Sequence, residues 1–389
     1  GDDKYREYCE EGFSNFATGK CKWLITKDEV TIDVGGGTSV NIDENFNIPL
    51  QNGWNMIADP FDFSVSWEDI IKNEVYDTVF GYTGTEWSFT DKIEPWNGYF
   101  VYATGNNASL EIPPIEATET LNKANQAPFI SKINDAGGWA FQLTASCGEL
   151  RDGINYLGVA KDATPMRDRI DLIEPPHPPG NYIALCFPHE EWNQQPRTVT
   201  TDFRAPDQEG YQWEIWVLTN IPGSKVHIDF AELVTPPEYY QFRFLDHATN
   251  TMHSVRHNSE YIFLSGSKST IRKFTFYAGK EEYFEDESLN SLIPEKFELC
   301  QNYPNPFNSA TEIRYALPEK SRVTIRVLNI LGKEIKSLVN NEWKDAGYHA
   351  VIWDGTDNYH NPTASGIYFY QLKVNAHKFN DVKKMLFVK

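Results

Sequence analysis

Apolar residues recur at every second position along much of the chain, in runs too short for helices. Segment 311–317 sets Ile313, Tyr315 and Leu317 on one face, and 322–328 does the same with Val323, Ile325 and Val327. Successive strand side chains point to opposite faces, so this period of two predicts strands with one buried face. Further strands are expected at 349–353, 366–374 and 382–388, with turns at 329–332 and at Asp354-Gly355. Short strands at this spacing describe a small β-sandwich.

The same alternation runs through the middle of the chain. Segments 139–144, 155–159, 181–187, 212–218, 225–230, 240–245, 261–264 and 271–277 read as strands of a jelly-roll or immunoglobulin-like sandwich. Nearer the start, strand signals flank the triple glycine 35–37. Without a following Gly-Lys-Ser/Thr that stretch is better read as a tight turn than as a phosphate loop. Ser66 is positioned to cap a short helix carrying Glu68 and Asp69 in its first turn. Residues 96–102 end in another strand.

Composition sharpens this picture. The chain has 389 residues with 11 Trp, 20 Tyr, 24 Phe, 25 Gly and 22 Pro, a mix that favours strands and shaped loops. Its length calls for two to four domains. A formal charge of −20 argues against nucleic acid and against anionic lipid, both of which need clustered Lys and Arg. No apolar run is long enough to span a bilayer as a helix. Cys9 with Cys21, and Cys147 with Cys186, are the pairings that proximity suggests, leaving Cys300 over. Gly1 opens directly into acidic sequence without a signal peptide, so a fragment or trimmed mature chain is expected.

The C-terminal ninety or so residues carry a series of motifs in order. They are Asn302-Tyr-Pro304-Asn305-Pro306-Phe307-Asn308, Ile313-Arg-Tyr-Ala-Leu-Pro318, Val327-Leu-Asn-Ile-Leu-Gly332, Trp353-Asp354-Gly355-Thr-Asp357, Ala364-Ser-Gly366-Ile-Tyr368-Phe-Tyr370, and Lys384-Met-Leu through Lys389. This series closely resembles the type A C-terminal sorting domain of the type IX secretion system. That domain is an immunoglobulin-like sandwich related to one in flagellar hook-capping proteins. The resemblance implies export across the outer membrane of a diderm bacterium, to the medium or the outer cell surface. It makes the secretion machinery the partner, and it implies removal of the domain after transport. Tyr359-His360 departs from the family, where many relatives carry a residue followed by Gly. Upstream, Gly53-Trp-Asn-Met-Ile57, Asp59-Pro-Phe61 and Pro95-Trp-Asn-Gly-Tyr-Phe-Val101 resemble a β-rich module common before such sorting domains, to which no reaction is attached.

The expected fold class is therefore all-β, with tandem β-sandwich domains ending in an immunoglobulin-like sandwich. The expected divisions are a β-rich module at 1–118, a sandwich at 119–280, an acidic linker at 281–296 and the sorting domain at 297–389. Like charges and low apolar content make 281–296 the expected joint.

Chemistry concentrates in the proline-stiffened loop from Asp162 to His177, which holds Arg167, Asp168, Arg169, Asp171 and Glu174. His189, Asp202 and Arg204 follow. Oxygen-rich loops of this kind can hold calcium, but the regular Asp-x-Asp-x-Asp-Gly spacing is missing. Mutual Arg–Asp pairing that pins the loop explains the same residues without a ligand. Glu174, Glu190 and Asp202 are the carboxylates to test for a glycosidase, which needs a facing pair about 5–9 Å apart. No Gly-x-Ser-x-Gly or His-Glu-x-x-His occurs. Trp87 or Trp96 could form a sugar platform, although such tryptophans more often pack inside. The leading reading is the non-catalytic C-terminal portion of a secreted or surface protein, which requires no cofactor. A glycan or an N-terminal domain of the same protein is a further partner. The alternatives are a carbohydrate-binding module, or an extracellular hydrolase with its site in loops 162–204. A chain cut near Glu281 is expected to unfold cooperatively in urea, and loss of that cooperativity would show the last domain to be structurally integral.

Overall fold

The computed structural model describes residues 17–23, 40–118, 130–135, 137–193, 195–206, 208–255, 259–266, 270–285, 294–375 and 378–389. The described chain is β throughout, apart from a six-residue helix at Ile130–Asp135 and a 3-10 turn at Glu281–Glu285. The strand–turn–strand pattern around residues 35–37, and Cys9, lie outside the described residues. Two compact units emerge: 1–131 with 171–182, and 132–170 with 183–389.

In the first unit, Gly98–Ala103 pairs antiparallel with Gly53–Ala58 on one side and Val75–Tyr82 on the other, and Trp87–Thr90 completes the sheet. The two tryptophan-containing motifs are thus neighbouring strands, with Trp54 opposite Tyr102 and Met56 opposite Phe100. A second sheet joins Phe46–Pro49, Ser109–Ile112 and Ile71–Asn73. Ile48, Ile57, Val79, Val101 and Leu110 are 1% exposed or less in the shared core. Burying each contributes about 1.5–3 kcal/mol relative to leaving it in water. The helix expected after Ser66 does not form. Asp69 N–H donates to the Ser66 carbonyl in a single turn. The Lys72 ammonium then donates to the carbonyls of Trp67 (2.7 Å) and Ile70 (3.1 Å), and the chain passes into the strand Ile71–Asn73. Burial of Trp67 and Ile70 outweighs the capping signal.

In the second unit, a five-stranded sheet centres on Trp139–Cys147, which pairs with Leu150–Val159 and Lys225–Val234. Facing it, Gly210–Thr219 runs between Ile183–Pro188 and Thr270–Gly279. Tyr211, Trp213 and Ile215 lie opposite Ala278, Phe276 and Phe274 in register, and all six enter one core. Cys147 joins this core together with Leu185 and Phe187. Cys186 lies between those two residues and so points to the other face of its strand. The expected Cys147–Cys186 bridge is therefore absent. Neither sulfur is in a disulfide, nor is that of Cys21 or Cys300.

The sheet continues through Gln241–Asp246 and Thr251–Val255 into Gly347–Trp353 and Thr311–Leu317, with Thr251 opposite Tyr348 at the crossing. Glu334–Lys344, Ser321–Leu328, Gly366–Val374 and Phe379–Phe387 form the facing sheet of the C-terminal sandwich. Its core takes Ile313, Tyr315, Leu317, Val323, Ile325 and Val327, the alternating residues expected to face inward. The strand Glu334–Lys344 escaped the pattern. Its pairing with Ser321–Leu328 shifts register repeatedly, and bulges of that kind erase a period of two.

The head of the acidic stretch is docked on the middle sandwich. Phe284 is 3% exposed beneath the Arg243 guanidinium, 4.2 Å from its ring centre. The Tyr283 ring lies over the register partners Gly210 and Gly279, where a Cβ would come within 2.2 Å and 2.6 Å of it. A cut at Glu281 removes both rings.

A buried charge cluster joins the middle and C-terminal sandwiches. Asp246 is fully buried and accepts from Arg272 Nε (3.0 Å), the Tyr261 hydroxyl (2.9 Å) and Ala248 N–H (2.9 Å). Arg272 also reaches Glu312 (3.7 Å), itself 3% exposed and paired with Arg314 Nε (2.6 Å). Burial works against the charge on Arg272, but Asp246 and Glu312 outweigh it and hold the guanidinium protonated. Removing one member leaves buried carboxylates uncompensated. Arg272→Ala is therefore expected to lower the unfolding free energy in urea by about 3–5 kcal/mol. Lys225→Ala, which breaks a half-exposed pair with Asp354 (3.2 Å), should lower it by less than about 1 kcal/mol. Equal, small effects of the two substitutions would contradict this account.

Candidate functional site

The sorting-motif residues divide sharply into those that build the domain and those that face water. Asn302 is 2% exposed and acts as a hub. Its N–H donates to the Tyr370 hydroxyl (2.8 Å), and its Nδ2 donates to Thr311 Oγ1 (2.8 Å) and the Pro304 carbonyl (3.2 Å). The Tyr370 hydroxyl donates onward to the Cys300 carbonyl (2.7 Å), and burial pushes this phenol up to about 12. The Tyr303–Pro304 and Asn305–Pro306 bonds are both cis. Phe307 then lies beside the last strand: its N–H donates to the Leu386 carbonyl (3.0 Å) and its carbonyl accepts from Val388 N–H (2.8 Å).

Aromatic packing locks these parts together. Phe307 stacks on Phe387 with centroids 4.9 Å apart and meets Trp353 edge-on at 5.5 Å. Trp353 is fully buried, and its indole N–H donates to the Thr356 carbonyl (2.9 Å). Tyr368 packs on Trp353 and donates its hydroxyl to the Ala364 carbonyl (2.7 Å). Gly355 is needed twice over. Its φ is 69°, and a Cβ there would lie 2.8 Å from the Phe387 ring. Gly332 closes the 329–332 turn at φ 73° by donating to the Asn329 carbonyl (3.0 Å), and Gly366 opens the strand Gly366–Val374.

Asp354 Oδ1 accepts from Thr356 N–H (3.2 Å) and Thr356 Oγ1 (2.7 Å). Burial opposes its charge, but these bonds and Lys225 hold the carboxyl below its ordinary range. Asp357 accepts from the N–H groups of Tyr359 (2.8 Å) and Asn361 (2.9 Å), so the Trp-Asp-Gly-Thr-Asp segment is a hydrogen-bonded turn. His360 adopts φ 64°, a left-handed conformation that glycine takes without strain. Lys384 and Lys389 are exposed, at the edge formed by the last strand.

The candidate ligand residues of 162–204 divide between the two units. Asp171, Glu174 and His177 fall in segment 171–182 of the first, where His177 stacks on Tyr182 at 4.3 Å and burial lowers its pKa. In the second, Asp162 is exposed. The carboxylate of Asp168 accepts from the N–H groups of Thr164 (2.8 Å) and Ile170 (3.0 Å), which tie the loop to itself.

His189, Asp202 and Arg204 do come together, with Glu191, which the sequence reading passed over. His189 is 1% exposed and lies flat on Trp192, ring centroids 3.7 Å apart. Its Nδ1 meets Glu191 Oε1 (2.7 Å) and its Nε2 meets Asp202 Oδ2 (3.0 Å). Asp202 also accepts from Arg204 Nη2 (2.9 Å), and its backbone carbonyl from the Trp213 indole (3.1 Å). Both imidazole nitrogens are engaged, which makes this a charged clamp with no ring nitrogen left to serve as a base. Among the described residues, no group of three or more His, Cys, Asp or Glu could hold a metal ion. Arg204 also lines a cavity of about 480 Å³ with Thr164, Gln208, Gln212, Tyr211 and Tyr283.

Comparison with known proteins bears on the C-terminal region. Residues 301–388 match the family described as the secretion system C-terminal sorting domain. The C-terminal region is a type IX secretion system sorting domain, a non-catalytic element that marks its protein for the outside or the outer surface of a diderm bacterium. No curated protein matches the chain. Among solved structures, the chain aligns with PorZ of Porphyromonas gingivalis, an essential bacterial surface component of its type IX secretion system. Identity there is 10%, over 45% of this chain and 29% of that one, with a TM-score of 0.20. It also aligns with dimeric latent PorU of the same organism at 11% identity, over 89% of this chain and 32% of that one, with a TM-score of 0.21. The chain spans about a third of the length of these structures.

Burial disfavours a charged His189, but Asp202 and Glu191 outweigh it and raise the pKa above the usual imidazole value. A group raised in the folded state stabilises fully below its unfolded value, about 6.5, and that contribution is lost as pH rises through the folded value. The stability advantage of the native chain over His189→Gln should therefore shrink from about pH 6 to pH 8. A proton-resonance titration placing His189 below the ordinary imidazole value would contradict this.

Proposed function

We propose that this chain is the C-terminal portion of a longer type IX cargo, with residues 297–389 as its export address. The upstream β-rich module at 1–118 and the sandwich at 119–280, with the acidic stretch 281–296, then travel as a non-catalytic passenger. Their tasks are spacing, and packing against an N-terminal part of the same protein. The observation that carries this reading is the family match at 301–388, laid over a motif that is partly interior and partly exposed. Asn302, Phe307, Trp353 and Tyr368 shape the domain. The secretion machinery would read what remains outside, the edge bearing Lys384, Leu386, Val388 and Lys389.

A hydrolase centred on 162–204 draws less support from the geometry, because the histidine of that region is held at both nitrogens. Calcium likewise has less to recommend it there, since the Asp168 oxygens already serve backbone donors.

Two export measurements separate shape from address. Deleting Lys383–Lys389 removes Met385 and Phe387 from the core, so both folding and secretion should fail. The double variant Lys384→Glu/Lys389→Glu changes exposed residues only and should keep stability within about 0.5 kcal/mol while export falls. Secretion of the deleted chain would refute the sorting role, and normal export of the double variant would move the address off this edge.

A further inference from the structure

Residues Glu94-Pro-Trp-Asn97 form a tight turn in which Asn97 N–H donates to the Glu94 carbonyl (3.4 Å). Proline occupies the second position and Trp96 the third, with φ 67°. Such a turn favours Gly or Asn at its third position, because a Cβ crowds the backbone at positive φ. Trp96 is nevertheless 89% exposed, the highest value for a large hydrophobic residue among the described residues. Neither backbone preference nor packing accounts for an indole here. Trp87 shows the ordinary alternative: it is 5% exposed, against Tyr82 and Phe100.

The mount under this indole is firm. Glu94 N–H donates to the buried Tyr99 hydroxyl (2.8 Å), Lys92 pairs with Glu94 Oε1 (2.7 Å), and Asn97 Nδ2 approaches Glu94 Oε2 (3.5 Å). A strained residue persists where its surroundings over-determine it, and sites of that kind serve recognition more than stability.

We propose that Trp96 is the platform of a binding site for a neutral oligosaccharide, flanked by Glu94 and Asn97. A flat indole face covers the apolar C–H face of a pyranose ring, while a planar carboxylate and amide beside it hydrogen-bond ring hydroxyls. One aromatic within a polar rim suits a solvated sugar. A bilayer or a protein partner would call for a contiguous apolar patch. The net charge of −20 and the adjacent carboxylate select against uronates, phosphates and anionic membranes. This inference does not depend on the export reading.

The full chain, Trp96→Gly and Trp96→Tyr would be compared on an array of neutral cello-, xylo-, manno- and chito-oligosaccharides. The strongest ligand would then be titrated by calorimetry, and each variant's thermal unfolding recorded. Native protein should bind at least one series. Trp96→Gly should weaken that binding at least about tenfold while melting at the same temperature or higher, since Gly relieves the turn. Trp96→Tyr should keep part of the affinity. An array without neutral ligands overturns the proposal, as does undiminished binding by Trp96→Gly. A Trp96→Gly variant that melts markedly lower also overturns it, because the indole would then be holding the fold.

Discussion

The C-terminal sandwich depends on one aromatic contact set, in which Phe387 of the last strand closes over Phe307 and Trp353. Phe307 comes from the first motif of the domain, Trp353 from the middle, and Phe387 stands two residues from the end of the chain. Dispersion and burial at this point fix three separated segments at once. Gly355 is glycine because the Phe387 ring occupies the space a side chain would need. The aromatic residues that close this core, Phe307, Trp353 and Phe387, all belong to the motif series. A domain built this way cannot complete its core until its last residues are present, which suits an address placed at a C-terminus.

A second constraint ties this domain to what precedes it. The Asp246–Arg272–Glu312 cluster is nearly dry, and its charges come from strands of both sandwiches. Ions so buried are weak evidence for net stability, but they penalise any arrangement that leaves one of them unpaired. They therefore specify how the two sandwiches meet. Tyr283 and Phe284 add to this by fastening the head of the acidic stretch to the middle sandwich, where charge repulsion alone had suggested a free joint.

Much of the architecture was legible because a strand with one buried face writes a period of two into its sequence. Ile313, Tyr315 and Leu317 faced inward as read, as did Val323, Ile325 and Val327. Legibility failed where other forces intervened. Bulges hid Glu334–Lys344, and Lys72 took the carbonyls that a helix after Ser66 would have used. The parity of Cys186 within its strand, invisible from spacing alone, kept it from Cys147. In the 162–204 region, residue types announced a polar cluster, yet which residues meet is a property of the fold. Asp202 reaches His189 while Asp171, Glu174 and His177 fall in the other unit, and Glu191 joined unannounced. Trp87 and Trp96 looked alike as candidate platforms, and burial separated them.

The central claim is that residues 297–389 form a complete and transferable address. The direct test fuses this segment to the C-terminus of a monomeric periplasmic reporter in a diderm host with a working type IX system, and in the same host lacking its translocon. The account predicts reporter at the cell surface or in the medium of the first host and its retention in the second. Retention in both, with the fused domain shown to be folded, would contradict it.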